Sequence, residues 1–277
     1  MTTIPVMING LPGKMAAMIE ERLSRRNDFE VIPFSLTGPG MSTSFLGRTS
    51  PISLIEPEQH EEVLQKILLQ PESNGLIAID FTLPAAVERN VRIYCKHGIP
   101  FVMGTTGGNR EILPKLVEAS DISAVIAPNM SAPIVMFMDM VMHAAENYPG
   151  TLSGWEIRII ESHQAAKEDV SGTALAVGRI FAKNLGVNFD ESKDVRPIRD
   201  RVDQLLAGIP DWALEGHGWH KYSLLSPDGN IMLGFEHNIN GRSTYVDGTL
   251  MALEFLAKKV STGSQGECFN MPDVMRG

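Results

Sequence analysis

The residues best suited to chemistry lie in one short segment, Glu161-Ser162-His163-Gln164-Ala165-Ala166-Lys167-Glu168-Asp169-Val170-Ser171-Gly172-Thr173-Ala174. It sets a histidine and a lysine four residues apart, then opens a helix with Ser-Gly-Thr. An imidazole moves protons near neutral pH, and an ammonium donates protons and attracts anions. The first turn of a helix carries backbone N–H groups without helical partners and the positive end of the dipole, which suits a carboxylate. A histidine and lysine alone are more often surface decoration. Joined to a glycine helix start, they outline a proton-transfer site for a small anionic substrate.

A second constellation is Gly10-x-x-Gly13-x-x-Ala16, which follows the apolar run Ile4–Asn9 and precedes a helical stretch. Glycines at a strand-to-helix turn let the backbone approach a pyrophosphate, and the helix N-terminus supplies donors. Ala16 takes the place of the third glycine, Pro12 removes one donor and Lys14 adds a cation. At the first βα turn of a regular α/β region the motif reads as dinucleotide binding, although alone it is an ordinary turn. Sites selective for NAD usually present a carboxylate at the end of the second strand. Here that stretch is Phe34-Ser35-Leu36-Thr37-Gly38, in which Ser35 and Thr37 offer hydroxyls to a 2′-phosphate. NADPH is therefore the expected cofactor, with NADH the alternative. Two further loops, Asp80-Phe81-Thr82-Leu83-Pro84 and Gly104-Thr105-Thr106-Gly107-Gly108, fall at carboxyl ends of expected strands, where open α/β sheets bind ligands. Their Thr and Gly residues serve equally well as helix caps.

The elements that must position these groups follow from periodicity. Strands are expected at 4–9, 29–36, 75–81, 99–103 and 123–127, and helical stretches after Gly13 and at 57–70, 84–97 and 110–120, with a loop over 37–50. Strands alternating with helices indicate a doubly wound parallel sheet of Rossmann type. Past Asn129 the rhythm changes. A helix at 132–147, a strand at 155–162, a helix at 171–185 and strands at 219–225, 230–238 and 242–246 describe an α+β region with a mixed sheet. A helix at 247–260 then returns to the first domain. The expected division is 1–128 plus 243–277 for the nucleotide domain and 129–242 for the second domain.

Composition narrows the function classes. The 277 residues are 43% hydrophobic and 21% charged, enough for a full core. The net charge of −9 argues against nonspecific nucleic-acid binding, which needs a basic surface. No apolar run is long enough for a membrane span. The two cysteines, Cys95 and Cys268, have no metal-ligand spacing, and no metal is expected. The methionine-rich stretch 130–142 reads as a packed helix, and His217 and His220 as structure or pocket edge. The opening MTTIPVMING has neither signal nor transit character, so the expected compartment is the cytoplasm, or the plastid stroma for a chain shorn of a transit segment.

The segment ESHQAAKEDVSGTA resembles the signature of dihydrodipicolinate reductases in their plant-type form. GLPGKM, DFTLP, MGTTGG, APNMS, GHGWHKYSLLSPDG, HNINGRS and NMPDVM agree in order, so the resemblance covers essentially the whole chain. It implies a Rossmann-type domain joined to a mixed α/β domain that binds substrate and mediates oligomerisation, in a dimer or tetramer. It implies reduction of 4-hydroxy-tetrahydrodipicolinate, by way of dihydrodipicolinate, in lysine and diaminopimelate biosynthesis. The roles it carries over are His163 as general acid/base and Lys167 as proton donor. Gly172 and Thr173, with Ser171 beside them, bind one substrate carboxylate and Arg242 the other; Gln164 and His237 line the pocket. On the cofactor side it implies Gly10, Leu11, Pro12, Gly13, Lys14, Met15, Phe81, Thr82, Gly104, Thr105, Thr106, Ala127, Pro128, Asn129 and Met130. Gln164, Ala165 and Ala166 replace more basic residues of many bacterial members, which bears on affinity rather than reaction type.

Two other classes share this plan. An aldehyde dehydrogenase needs a thiol at the domain junction, and neither Cys95 nor Cys268 is placed for it. A nucleotide-binding sensor without turnover has no use for His163 and Lys167 beside an anion site, whereas Gln164 and Pro12 leave open a family member with altered substrate and no reductase turnover.

Overall fold

The computed structural model describes residues 3–277. Two compact units divide the chain: one runs to Ala132 and resumes at Thr244, and the other spans Pro133–Ser243.

In the first unit β1 (Ile4–Asn9) is almost wholly buried, as suits a strand covered on both faces. Helix α1 (Lys14–Leu23) buries Ala16, Ile19 and Leu23, one apolar stripe at helical spacing. The strand expected over 29–36 is two strands, β2 (Phe29–Val31) and β3 (Phe34–Leu36), which belong to different sheets. Pro33 lies at the break, where its missing N–H cannot continue a ladder. The loop expected over 37–50 contains β4 (Ser44–Leu46), which with β5 (Pro51–Ile55) and β3 forms a three-stranded sheet. The alternation then continues through α2 (His60–Leu68), β6 (Ile77–Asp80), α3 (Val87–His97), β7 (Phe101–Met103), α4 (Ile112–Glu118) and β8 (Ala124–Ile126).

The second unit contains α5 (Ala132–Asn147), β9 (Glu156–His163), α6 (Gly172–Leu185), the short α7 (Glu191–Asp194), β10 (Val195–Ile198), α8 (Arg201–Leu206), β11 (His217–Leu225) and β12 (Met232–Asn240). Its sheet runs β10-β9-β11-β12, parallel at the first pairing and antiparallel at the other two. One face carries Ile157, Ile159, Tyr222 and Leu224 into a core with Val141 and Ala145 of α5 and Val177 and Phe181 of α6.

The chain returns to the first unit in α9 (Ser243–Ser261), β13 (Cys268–Phe269) and α10 (Met271–Arg276). The strand expected at 242–246 is instead the start of α9. Gly241, at φ +79°, ends β12, and Val246, Leu250, Leu253 and Ala257 continue a buried helical stripe that outweighs the β preference of Thr-Tyr-Val. The completed sheet is parallel throughout, in the order β13-β8-β7-β6-β1-β2. The chain leaves β1 toward β2 on one side and returns to β6 on the other. That reversal opens a crevice at the carboxyl ends of β1 and β6.

Candidate active site

The crevice of the first unit is built from backbone. Gly10 has φ +102°, and a Cβ there would lie 2.3 Å from the Phe81 carbonyl oxygen, so the loops after β1 and β6 meet only because this residue is glycine. Gly13 stands at the N-cap of α1 and offers no side-chain cap, which leaves the first-turn N–H groups of the helix open to an anion. The Phe81 ring lies against Gly104, where a Cβ would come within 2.2 Å of Cζ. Beneath these loops Asp80 is fully buried and accepts from Thr82 Oγ1 (2.7 Å), Thr105 Oγ1 (2.9 Å), Asn90 Nδ2 (2.9 Å) and Tyr94 OH (2.7 Å). Asn9 donates to Tyr94 OH at 2.8 Å and accepts from Leu36 N at 2.8 Å. Burial, and next the Asp80 carboxylate, raise the Tyr94 phenol well above its usual range, which keeps it a donor.

Apart from Ser35 and Thr37, the residues expected at the cofactor follow the carboxyl ends of parallel strands, in the connecting loops or, for Lys14 and Met15, in the first turn of α1. Gly10, Leu11, Pro12, Gly13, Lys14 and Met15 follow β1, Phe81 and Thr82 follow β6, Gly104, Thr105 and Thr106 follow β7, and Ala127 to Met130 follow β8. Pro12, Gly13, Lys14, Thr106 and Pro128 are exposed, whereas Leu11, Thr105, Ala127 and Met130 are buried beneath them. Ser35 and Thr37 are also buried. Ser35 Oγ accepts from Leu11 N at 3.4 Å and Thr37 Oγ1 donates to the Leu11 carbonyl at 2.7 Å, so both hydroxyls brace the glycine loop from behind.

In the second unit the alternation of β9 puts Glu161 and His163 on the helix-covered face. The pairing register sets His220 of β11 directly opposite Glu161, and His237 of β12 directly opposite His220. Gly218 stands opposite His163; a Cβ there would lie 2.9 Å from His163 Cε1, so the missing side chain makes room for the ring. His163 Nε2 is 3.1 Å from His220 Nε2. His220 Nδ1 faces Tyr222 OH at 3.1 Å and His237 Nε2 at 3.2 Å. Burial pushes His163 down to about 4, helped by Lys167 and Arg199, and His237 also to about 4. Burial, and then His237 and His163, push His220 down to about 2. All three imidazoles are therefore neutral at neutral pH. A neutral imidazole can accept a proton, and the positive charge of Lys167 acts on the His163 ring.

The loop from Gln164 to Val170 is tied down by Arg199, two residues before α8. Its guanidinium donates to Glu161 Oε1 (2.6 Å), to the Lys167 carbonyl (2.8 Å) and to the Asp169 carbonyl (3.2 Å). Lys167 N donates to the Gln164 carbonyl at 3.0 Å, and Lys167 Nζ to Asp169 at 2.7 Å. Gln204 of α8 donates to the His163 carbonyl at 2.7 Å. Ser171 caps α6 in extended conformation without using its side chain, so the N–H groups around Gly172 and Thr173 remain available. Arg242 follows Asn240, which is paired with His217 at the start of β11, and so sits at the same end of the sheet as His163.

Sequence reasoning missed Glu161, Arg199 and Gln204 and gave His220 no chemical role. Glu161 stood inside the segment already singled out, and strand parity with His163 was the available signal. The His217 side chain points to the face of β11 opposite His220. Its Nδ1 lies near the Ala213 and Leu214 carbonyls, which fixes the proton there, and Nε2 accepts from Ser162 Oγ at 2.8 Å.

A parallel sheet with an open glycine crevice, joined to a mixed-sheet unit bearing a neutral histidine and a lysine beside a free helix start, defines an NAD(P)H-dependent oxidoreductase with a small-molecule substrate. Comparison with known proteins makes the family particular. Residues 4–130 match the family model described as dihydrodipicolinate reductase, N-terminus, and residues 133–275 the one described as dihydrodipicolinate reductase, C-terminus. The chain belongs to the dihydrodipicolinate reductase family. It is 40% identical to 4-hydroxy-tetrahydrodipicolinate reductase 1, chloroplastic, of Arabidopsis thaliana, over 99% of this chain and 78% of that protein. It is 28% identical to 4-hydroxy-tetrahydrodipicolinate reductase of Herminiimonas arsenicoxydans, over 99% of both. Among solved structures it resembles dipicolinate-bound dihydrodipicolinate reductase from Paenisporosarcina sp. TG-14, with a TM-score of 0.64 and 17% identity over 97% of this chain and 98% of that one. No helix among the described residues is long and apolar enough to cross a membrane.

Proposed function

We propose that this protein reduces 4-hydroxy-tetrahydrodipicolinate, by way of dihydrodipicolinate, to tetrahydrodipicolinate, as the names of its relatives indicate. The observation that carries the reading is that Arg199 ties down the loop that runs from His163 through Lys167 to the uncapped start of α6. A planar dianion needs two anion receptors. Ser171, Gly172 and Thr173 supply one through backbone N–H groups, and Arg242 supplies the other. Gln164 and His237 line the remainder of the substrate site. Lys167 protonates the ring carbon adjacent to the one reduced, and neutral His163 passes a proton onward. When bound, the reduced nicotinamide supplies the hydride.

The first unit is the nucleotide domain in this reading. Gly10, Gly13 and the start of α1 hold the pyrophosphate, and Phe81, Thr82, Gly104, Thr105, Thr106 and Ala127 to Met130 hold the nicotinamide end. Selection of NADPH, with NADH also used, rests on the lack of a carboxylate after β3, because Ser35 and Thr37 are committed to the Leu11 backbone. The second unit binds substrate and mediates assembly into a dimer or tetramer. Its edge strand β12 supports this: Met232, Leu233 and Phe235 are 64%, 41% and 36% exposed. The compartment that fits is the cytoplasm or a plastid stroma.

The test is a coupled assay in which freshly made synthase product is supplied and oxidation of NADPH and of NADH is followed in parallel. Turnover should fall by about 10²–10⁴ in Lys167→Ala, the usual contribution of a positioned proton donor. Normal nucleotide binding without turnover of this substrate refutes the reading.

A further inference from the structure

The face of β9 that carries His163 also presents a ligand set for a metal ion. Glu161, His163 and His220 each place one donor atom within 4.8 Å of the others. His163 Nε2 lies 3.1 Å from His220 Nε2 and 3.4 Å from Glu161 Oε2. A tetrahedral zinc ion with bonds of about 2.0–2.1 Å holds its ligand atoms roughly 3.3 Å apart, so both of these edges already have the required length.

Two further observations point to a bound ion. Glu161 Oε2 is fully buried and has no hydrogen-bond partner, although its carboxylate faces two imidazole nitrogens. A buried orphan oxygen requires an explanation, and a cation between these three atoms supplies one. The surrounding contacts are those that orient metal ligands. Glu161 Oε1 accepts from Arg199 at 2.6 Å, and His220 Nδ1 is held by Tyr222 OH at 3.1 Å and His237 Nε2 at 3.2 Å.

We propose that Glu161, His163 and His220 form a site for a divalent transition-metal ion of the zinc type, with the fourth position open on the exposed side of His163. Two imidazoles and one carboxylate favour zinc, cobalt and copper over magnesium and calcium, which prefer all-oxygen sites. His163 has 17% of its side chain exposed, which gives the ion a way in, whereas Glu161 has none. The nearby Lys167 and Arg199 cations oppose a further positive charge; Asp169 offsets the first and Glu161 the second. Occupancy ties up the His163 ring, so the ion acts as an inhibitor. That consequence rests on the reductase reading, whereas the binding does not.

The test titrates the metal-free full-length protein with Co²⁺ and follows the visible absorption of tetrahedral cobalt, then bleaches it with Zn²⁺. One ion per chain is expected, with no displacement by Mg²⁺. His220→Phe should abolish the band, and His237→Phe, which removes an orienting contact, should weaken binding about 10–100-fold. His163→Gln, at the rim of the site, provides a second ligand deletion should His220→Phe not fold. Absence of a tetrahedral band in the wild-type protein overturns the proposal, as does equal binding by wild type and both ligand variants. Zinc that binds at this site without lowering turnover overturns the occupancy of His163. If the protein does not reduce the dihydrodipicolinate precursor at all, the cobalt spectrum still decides on the site.

Discussion

Replacing Arg199 by methionine keeps most of the side-chain length and removes every donor. It should cost stability and turnover by separate routes. The guanidinium is the charged partner of a carboxylate with no exposure, at 2.6 Å, and is itself 20% exposed. Deleting one member of a buried pair typically costs about 3–5 kcal/mol, because the other charge is left unpaired. Partial access of water to Arg199 puts the expectation at the lower end, about 3 kcal/mol, read from urea unfolding as a midpoint shift at constant slope. Adding Glu161→Gln should return at least about 1 kcal/mol of this, since it removes the stranded charge. The second route is geometric. Arg199 fixes the Lys167 and Asp169 carbonyls at 2.8 and 3.2 Å, and displacing a proton donor by about 1 Å costs up to 10²-fold in rate. Turnover of the assay substrate should therefore drop about 10–100-fold in kcat, with a smaller change in KM. Arg199→Lys should restore little, because an ammonium cannot span both the carboxylate and the loop carbonyls. A loss below about 1 kcal/mol together with unchanged kcat would refute the assignment of Arg199 as the residue that positions Lys167.

Gly10→Ala forces a Cβ to 2.3 Å from the Phe81 carbonyl at φ +102°, so NADPH affinity measured by fluorescence titration should fall at least about tenfold, or about 1.4 kcal/mol; normal affinity would show that this loop is not the cradle. Gly218→Ala pushes on His163 Cε1 from 2.9 Å and should lower kcat while leaving NADPH affinity intact, at a stability cost of about 1–3 kcal/mol; unchanged kcat would show that ring placement does not matter. His60 is buried, and burial, opposed by its hydrogen bond to the Ile55 carbonyl at 2.9 Å, lowers its pKa below the ordinary value. The neutral form is the stabilising one: its contribution is complete above about pH 6.5 and is lost as pH falls through the lower folded-state value. The wild-type Tm should thus decline on acidification more steeply than that of His60→Gln, and parallel Tm–pH curves would refute the linkage.

Much of the first unit was legible because a buried parallel strand is an uninterrupted apolar run and an amphipathic helix repeats at 3.6 residues. Ile4–Asn9 and the pair Ile19 and Leu23 of α1 are examples. The failures lie where period gives no purchase. Three residues, as in β4, define no alternation, and the two-residue β13 exists only because β8 offers it an edge. Pro33 is different: its missing donor was visible, and it marks the point where 29–36 passes from one sheet to another.

The candidate site divides along the same line. His163, Lys167 and the start of α6 are neighbours in sequence, so their spacing carried the inference. Arg199 and Glu161 are 38 residues apart, and His163 and His220 are 57 apart, separations set by strand pairing. Parity within a strand was nevertheless available. His217 and His220 differ by three positions and so must point to opposite faces of β11. One serves Ser162 and the other His163, as the hydrogen bonds show. What parity lacks is register. A slip of two residues along β11 would keep His220 on the covered face yet move it away from Glu161, and Gly218 away from His163. The cluster exists because a glycine, a carboxylate and three imidazoles fall into step across three strands, and only the assembled sheet determines that step.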